Sequence, residues 1–324
     1  MRNCVMISLI VICALLPAAA WSQLPPALCT MWGSNGTAPG QFGNPRGVAL
    51  DASGNVYVTD GWNNRIQEFT SNGDYVTQWG SSGTGPGQFN GPTGITVDGI
   101  GSVYVTESGN HRIQKFTSSG EYIAEWGSYG QEPGQFDTPR SVALDADGRV
   151  YVADTFNHRI QVFTSSGEYI TQWDSSGTGS GQFNGPSGVA VDASGFVYVA
   201  DCGNYRVQKF TSGGEYISEW GSSGTGPGQF NSTYGLAFDP SGNVYVADAW
   251  NSRIQVFTSS GEYITEWGSY GVEPGQFYFI WGVAVDASGS VYAADLFNHR
   301  IQKFGCGPTA VQNTTWGKVK SMFR

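Results

Sequence analysis

Six tryptophans lie at a constant interval of 47 residues in this chain of 324 residues, and most of the sequence between them repeats as well. They are Trp32, Trp79, Trp126, Trp173, Trp220 and Trp267. Self-similarity at a period of roughly 40 to 50 residues is typical of propellers and solenoids, which copy one supersecondary unit many times. The interval therefore restricts the chain to a repeat architecture before any single residue is interpreted.

The repeat itself predicts strands. Each copy holds three short runs rich in Val, Ile, Tyr and Phe, separated by turn sequences such as Asp-Ala-Ser-Gly, and a fourth run of the type YITEW follows each of the first five copies. Such runs, bounded by Gly, Asp and Ser, indicate strands rather than helices. Four strands per copy predict an all-β fold, a six-bladed β-propeller of four-stranded antiparallel blades. The copies span 41–69, 88–116, 135–163, 182–210, 229–257 and 276–304.

The repeat resembles the NHL-repeat family, named for an Asn-His-Leu motif that reads Asn-His-Arg-Ile in three copies of this chain. The resemblance covers residues 28–304 in six ungapped copies. It implies a six-bladed β-propeller of the type found in secreted bacterial NHL-repeat proteins, and it agrees with the strand count.

The two ends of the repeat predict how the ring closes. Residues 28–33 match the fourth strand of a blade, whereas the sixth copy ends at Phe304 without a fourth strand of its own. We therefore expect the N-terminal strand to complete the last blade. This would bring Cys29 close to Cys306, either as a disulfide or as two free thiols, and we expect Cys202 to stay unpaired.

Acidic and basic residues recur in pairs. The residue that ends the second predicted strand is always Asp or Glu, and an arginine follows five residues later. A guanidinium can bond a carboxylate and still reach backbone carbonyl groups, which suits a partly buried pair. We interpret these pairs as structural rather than catalytic. They are Asp60–Arg65, Glu107–Arg112, Asp154–Arg159, Asp201–Arg206, Asp248–Arg253 and Asp295–Arg300.

Two further repeat positions predict packing. The six tryptophans are expected to seal neighbouring blades, so they belong to the core and not to a ligand cage. A small residue near the start of each first strand suits a crowded inner strand beside the axis. These residues are Gly47, Gly94, Ser141, Gly188, Gly235 and Gly282.

The segments outside the repeat predict export. Residues 1–22 combine one arginine, an apolar stretch and small residues before a cleavage point, as in a secretory signal peptide. The propeller then spans 23–304, and 305–324 form a basic tail for which we predict a short helix. No other apolar stretch reaches the roughly 20 residues of a membrane span. We expect a secreted or periplasmic monomer with no membrane span.

Charge and histidine placement argue against several functions. The formal net charge is −10, whereas nucleic-acid binding by a folded domain needs a basic stripe. The histidines, His111, His158 and His299, occupy one repeat position in copies 2, 3 and 6, so they lie on a circle and cannot converge at the roughly 2 Å that zinc requires. We expect no nucleic-acid partner, no metal, no cofactor and no catalytic residue.

Candidate binding residues lie where the copies differ. Two loops share one rim of a propeller: the entering loop before the first strand, and the second loop between the second and third strands. The entering loop loses its recurring proline in copies 5 and 6 and carries aromatic residues nearby, and the second loop carries a large aromatic residue in copies 5, 6 and 1 where copies 2 and 4 carry glycine. Two arginines lie beside them. Exposed apolar patches usually mark interaction sites; the alternative is packing between blades. The candidates are Trp62, Tyr234, Trp250, Tyr278, Phe279, Trp281, Phe297, Arg46 and Arg140.

These patterns favour an exported, non-enzymatic binding propeller that recognises a peptide, glycan or protein partner through an aromatic face. The alternative is a propeller lyase or hydrolase that acts at the central axis. The two hypotheses differ in the residues that they require. An enzyme needs reactive side chains that converge on one point, and the repeat offers none.

Overall fold

The structure is a computed structural model that describes residues 25–306. The signal peptide predicted for 1–22 and residues 307–324 of the predicted tail lie outside the described residues. Within 25–306, six four-stranded antiparallel sheets form six blades. The all-β six-bladed propeller is therefore confirmed.

The blades follow the repeat in chain order. Blade 1 contains Pro45–Leu50, Val56–Asp60, Arg65–Phe69 and Tyr75–Trp79. Blade 2 contains Pro92–Val97, Val103–Glu107, Arg112–Phe116 and Tyr122–Trp126. Blade 3 contains Pro139–Leu144, Val150–Asp154, Arg159–Phe163 and Tyr169–Asp174. Blade 4 contains Pro186–Val191, Val197–Asp201, Arg206–Phe210 and Tyr216–Trp220. Blade 5 contains Thr233–Phe238, Val244–Asp248, Arg253–Phe257 and Tyr263–Trp267. Blade 6 contains Leu28–Trp32, Ile280–Val285, Val291–Asp295 and Arg300–Phe304.

Short elements decorate the loops between these strands. Two parallel pairs of two-residue strands lie in the entering loops of blades 2 and 5, and two 3-10 turns form second loops in blades 3 and 4. The strand pairs are Ser81–Ser82 with Gln88–Phe89 and Ser222–Ser223 with Gln229–Phe230, and the turns are Thr155–Asn157 and Cys202–Asn204.

The ring closes as the sequence predicts. Leu28–Trp32 pairs antiparallel with Arg300–Phe304, so that Trp32 lies opposite Ile301. The N-terminal strand thereby supplies the fourth strand of blade 6. Cys29 and Cys306 form a disulfide beside this pairing, and Cys202 is a free cysteine. A covalent bond and a strand pairing therefore hold the two ends of the propeller together.

The first strands of neighbouring blades approach closely around the axis. A Cβ atom added to Gly94 would lie 2.7 Å from the carbonyl oxygen of Arg140, and one added to Gly235 would lie 2.8 Å from the amide nitrogen of Val283. Both distances are shorter than van der Waals contact, so only glycine fits at these points. Ser141 is tolerated at its position because its hydroxyl accepts a 3.1 Å hydrogen bond from the amide of Val189 in the next blade.

The repeated tryptophans join each blade to the next. The Trp79 ring lies 6.2 Å from the Tyr57 ring of its own blade and 6.1 Å from the Phe116 ring of blade 2. Trp32 does the same across the closure, with Tyr292 on one side and Phe69 on the other. Aromatic pairs at this separation contribute to core packing beyond their buried area. The prediction that these tryptophans seal the blades is confirmed.

The acid–arginine pairs are buried and structural, as predicted. In blade 3, Arg159 Nε lies 2.7 Å from Asp154, whose side chain is fully buried. The other two guanidinium nitrogens donate to backbone carbonyl groups of the entering loop, those of Gln131, Glu132 and Gln135. Asp154 in turn accepts a 2.9 Å hydrogen bond from Asn157. Each pair thus ties the loop from the preceding blade to the body of its own blade, at Nε–carboxylate distances of 2.6–2.9 Å in the six copies.

These carboxylates need their partners. Burial raises the pKa of Asp154, although Asn157, Arg159 and a backbone amide all donate to it and lower the pKa. The same holds for Asp201 and Asp295. Burial therefore penalises the charged form of each acid, and the hydrogen bonds oppose that penalty.

Between residues 25 and 306, no helix is both long enough and apolar enough to cross a bilayer.

We predict that Arg159→Leu lowers the free energy of unfolding by about 3–5 kcal/mol, because it leaves Asp154 buried without its charge partner. The matched control is Arg149→Leu, which removes a guanidinium that is 33% exposed; its partner Asp145 keeps hydrogen bonds from two backbone amides and from the Tyr151 hydroxyl, so the loss should be about 1 kcal/mol or less. Denaturant unfolding monitored by circular dichroism measures both. Equal losses in the two variants would contradict a structural role specific to the buried pair.

The closure of the ring by the N-terminal strand leads to a second prediction. Deletion of residues 23–33 should lower the melting temperature far more than deletion of residues 308–324, because it removes a strand, a sealing tryptophan and the disulfide. Changing Cys29 and Cys306 together to alanine should cost a smaller amount, about 2–5 kcal/mol, since the strand pairing remains. A protein that lacks residues 23–33 but melts near the full-length temperature would show that the ring does not depend on this closure.

Candidate functional site

The entering loop and the second loop of each blade meet on one rim, as predicted. The amide of Trp250 donates to the carbonyl of Asn231 at 3.1 Å in blade 5, and the amide of Phe297 donates to the carbonyl of Tyr278 at 3.2 Å in blade 6. Equivalent bonds join the two loops in the other blades. The positions at which the copies differ therefore share one face of the propeller.

The outer part of this face in blade 6 is an exposed aromatic row. The ring centroids of Tyr270 and Tyr278 are 5.1 Å apart, and those of Tyr278 and Phe297 are 5.0 Å apart. The three residues are 69%, 39% and 37% exposed, respectively. Side chains in contact with each other and open to solvent form a surface that a partner can reach.

Phe279 is buried, which contradicts its predicted place on the exposed face. It was expected on the exposed face, but it is 5% exposed and packs with Ala249 and Leu296 in a small buried cluster. Its ring lies 4.8 Å from the ring of Trp250 and 5.8 Å from that of Phe297. Phe279 therefore supports the exposed aromatic residues from below and is not itself open to a ligand.

The backbone at Phe279 explains its inward direction. Its φ is 70°, in the left-handed region, and the equivalent residues in blades 2 and 4 are Gly91 and Gly185. A bulky residue rarely adopts this conformation and stores strain when it does. The packing against Ala249 and Leu296 holds it there, so the small buried cluster compensates for an unfavourable backbone.

The inner part of the face lies at the mouth of the central channel. The rings of Tyr234 and Trp281 are 4.6 Å apart, and Phe279 lies 5.3 Å from Tyr234. Both Tyr234 and Trp281 are half-buried. Blades 5 and 6 thus contribute one continuous group of rings from the channel mouth to the outer rim. We call Tyr234, Trp250, Tyr270, Tyr278, Trp281 and Phe297 the aromatic surface.

Trp62 of blade 1 stands apart from these rings. It is 64% exposed, and within residues 25–306 no ring contact joins it to blades 5 and 6. It lines a groove together with Arg46, and the Arg46 guanidinium carbon lies 5.2 Å from the centre of the Trp281 ring. The structure therefore connects Trp62 to the aromatic surface through an arginine and not through direct contact.

Arg46 and Arg140 face the same channel mouth from blades 1 and 3. The guanidinium carbon of Arg140 lies 5.9 Å from the Trp281 ring and 5.9 Å from the Tyr234 ring. Burial lowers the pKa of Arg46, and the charge of Arg140 lowers it further. Two positively charged guanidinium groups therefore approach the indole ring of Trp281. Trp281 extends toward blades 1 and 3, which places it near the axis.

The arrangement includes residues that the sequence interpretation did not select. Tyr270 extends the aromatic surface outward, and Phe156 of blade 3, 55% exposed, lies 5.3 Å from Arg140. A signal for Tyr270 was present, because copies 3 and 6 carry tyrosine where copies 2, 4 and 5 carry serine. Tyr129 is the equivalent residue in copy 3, is equally exposed at 69%, and contacts His111 instead.

Two of the three histidines form hydrogen bonds between blades, whereas the Nδ1 atom of His299 is buried and has no hydrogen-bond partner among the described residues. His111 Nδ1 accepts a hydrogen bond from the amide of Thr138 at 3.1 Å, and His158 Nδ1 accepts one from Gly185 at 2.9 Å. Asn64 Oδ1 accepts the equivalent hydrogen bond from the amide of Gly91 at 2.9 Å. Within residues 25–306, no group of three or more His, Cys, Asp or Glu side chains is arranged to hold a metal ion.

The central channel runs between the first strands of the blades. It encloses a cavity of about 270 Å³ lined by the first strands, with residues such as Val48, Ile95, Val142 and Val189. Its opposite mouth carries the Asp-containing turns between first and second strands, among them Asp286, whose pKa is lowered by hydrogen bonds from Ser288 and Ser290 that outweigh the effect of burial. The arginines and the acids therefore lie at opposite ends of the axis.

We predict opposite behaviour for two neighbouring aromatic residues of the site. Phe279→Ala should lower the free energy of unfolding by about 3 kcal/mol or more, as truncation of a buried phenylalanine does. Trp250→Ala should cost about 1 kcal/mol or less, because its ring is 57% exposed. Thermal melts of the two variants decide this, and a larger loss for Trp250→Ala than for Phe279→Ala would overturn the division into a support and a surface.

Comparison with known proteins gives a repeat family and a fold. The model of the NHL repeat matches residues 42–69, 89–116, 136–163, 183–210, 235–257 and 277–304. No curated protein matches the chain.

Solved structures with a similar fold include a Bacteroides thetaiotaomicron VPI-5482 protein of unknown function, at 19% identity over 86% of this chain and 76% of that chain, with a TM-score of 0.68. Virginiamycin B lyase from Staphylococcus aureus matches at 17% identity over 86% and 98%, with a TM-score of 0.59. A gluconolactonase from Xanthomonas campestris matches at 14% identity over 86% and 96%, with a TM-score of 0.62. At these identities the likeness is one of fold.

Proposed function

This chain belongs to the NHL-repeat family, and on that premise we propose that it is an exported, non-enzymatic binding propeller whose aromatic surface recognises a peptide, glycan or protein partner. The observation that carries the proposal is the exposure of large aromatic side chains on one rim, with Trp250 at 57% and Tyr270 at 69%. Contiguous exposed apolar surface is unfavourable in water and usually marks an interaction site.

The composition of the surface suits an interface. Tyrosine and tryptophan supply large contact area at a low cost in conformational entropy, and they are enriched among the residues that dominate binding energy. Phe279 and Leu296 lie buried beneath them, so the exposed rings sit on a packed base. A partner would therefore meet a surface that is already formed.

The channel geometry favours binding at the rim over chemistry at the axis. The cavity of about 270 Å³ is at or below the roughly 300–1,000 Å³ of most small-molecule sites. His111 and His158 are engaged as acceptors of backbone hydrogen bonds between blades. A lyase or hydrolase function is the competing proposal, and two of the similar structures are named as a lyase and a gluconolactonase.

Export is the second part of the proposal. The Cys29–Cys306 disulfide suits an oxidising compartment, where such bonds form and persist. Together with the signal peptide expected at residues 1–22, it supports a secreted or periplasmic location. We expect the protein to act as a monomer.

A pair of matched variants tests the binding surface. Screening the full-length mature protein on glycan and peptide arrays and in pull-downs from extracellular material identifies a partner, whose affinity is then measured. Tyr270→Ala and Trp250→Ala should weaken binding by about fivefold or more, that is 1 kcal/mol or more. Tyr129→Ala is the control, because Tyr129 has the same repeat position and the same exposure but lies in blade 3.

Equal effects of Tyr270→Ala and Tyr129→Ala would contradict a site on blades 5 and 6. Turnover of the captured molecule, retained when Tyr270 is changed and lost when channel residues are changed, would favour the lyase or hydrolase.

A further inference from the structure

The two arginines at the channel mouth differ from the other arginines of the described chain. Between residues 25 and 306, every other arginine forms an ion pair with Asp or Glu, whereas Arg46 and Arg140 form none. The Nε atom of Arg46 is buried and has no hydrogen-bond partner. The side chain as a whole is half-buried, and a charge that is partly removed from water without a partner favours binding of an opposite charge.

The groups around these arginines do not neutralise them. The side chains around them are uncharged near pH 7: the rings of Trp281, Tyr234 and Phe156 and the thiol of Cys202, with the polar side chains that share a groove with Arg46, namely Asn64, Asn90 and Ser108. Burial raises the pKa of the Cys202 thiol and of the Tyr234 phenol, so both stay neutral near pH 7. The indole ring of Trp281 attracts a cation but carries no net charge. The mouth therefore holds two uncompensated positive charges.

Positive charge is unexpected here, because the chain as a whole carries −10. Burial lowers the pKa of Arg46, and the like charge of Arg140 lowers it further. A carboxylate has two oxygens, and guanidinium groups donate to carboxylates with strong, directional hydrogen bonds. A carboxylate placed beside the Trp281 ring would be attracted by both guanidinium groups, which lie 5.2 and 5.9 Å from the centre of that ring.

We propose that Arg46 and Arg140 form an anion site at the channel mouth, and that it binds the single carboxylate of a ligand whose apolar part lies on Trp281 and Tyr234. The inference rests on the proposed function in assigning the ligand's apolar part to the aromatic surface. The charge of the protein restricts the class further, because polyanions such as nucleic acids or acidic polysaccharides are repelled by the acidic remainder. The ligand is a monocarboxylate with an apolar body.

Calorimetric titration with N-acetyl-phenylalanine tests the site, and N-acetyl-phenylalanine amide is the matched neutral probe. The acid should bind at least about tenfold more tightly than the amide, since the charge-assisted hydrogen bonds are lost in the amide. This comparison uses the unaltered protein, so it holds even where a variant fails to fold. Equal binding of the two probes, or no binding of the acid at about 10 mM, would overturn the proposal.

Variants of the two arginines test whether these residues bind the carboxylate. Arg46→Gln and Arg140→Gln should each weaken binding of the acid by about tenfold or more, whereas Arg149→Gln, which removes a guanidinium already paired with Asp145, should leave it unchanged. Acid binding that survives both mouth variants in folded protein contradicts the site. A hexapeptide with C-terminal phenylalanine separates two sources: tighter binding than the short acid identifies a peptide terminus, and equal binding identifies a small acid.

The anion site and the proposed function can fail separately. If the mouth variants leave acid binding intact while Tyr270→Ala still weakens the partner, the anion site is wrong and the binding surface stands. If the acid binds through Arg46 and Arg140 while Tyr270→Ala leaves partner binding unchanged, the aromatic surface is wrong and the anion site stands.

Discussion

The buried bond between a carboxylate and a guanidinium, made once in every blade, is the interaction on which this propeller depends. In blade 3, Arg159 bonds Asp154 and three carbonyl groups of the loop that arrives from blade 2. The loop is thereby fixed to the strands that follow it. Since each loop links two blades, six such bonds set the spacing of the ring, and the tryptophans fill the space that results.

A scaffold held in this way leaves its rim free to vary. The Asp, Arg, Asn and Gln side chains that fix the loops point into the blade, so residues a few positions away can change without loss of the bond. In blade 6 the amide of Tyr278 still donates to Asp295 at 2.8 Å, although Tyr278 and its neighbours depart from the repeat. The strained backbone of Phe279 is tolerated for the same reason, because the network on both sides holds the loop in place.

The sequence predicted the parts that repeat and was less informative where the repeat stops. Blade number, the role of N-terminal residues such as Trp32 in closure, and the Asp154–Arg159 bond all follow from constant spacing. The direction of Phe279 did not, because a left-handed residue in a loop obeys neither strand nor helix periodicity. Tyr270 lay within a segment that looked like an ordinary turn. The separation of Trp62 from blades 5 and 6 depends on ring radius and side-chain direction, which spacing along the chain does not encode.

The central claim is that the exposed rings of blades 5 and 6 form the binding surface. Hydroxyl-radical footprinting of the full-length protein, alone and saturated with its partner, tests this claim most directly because it reports each side chain in the unaltered molecule. The account predicts protection of Trp250, Tyr270 and Phe297, with unchanged oxidation of Tyr129, which starts from the same 69% exposure as Tyr270. Protection of Tyr129, or of the turns at the acidic mouth, with Tyr270 unaffected, would contradict it.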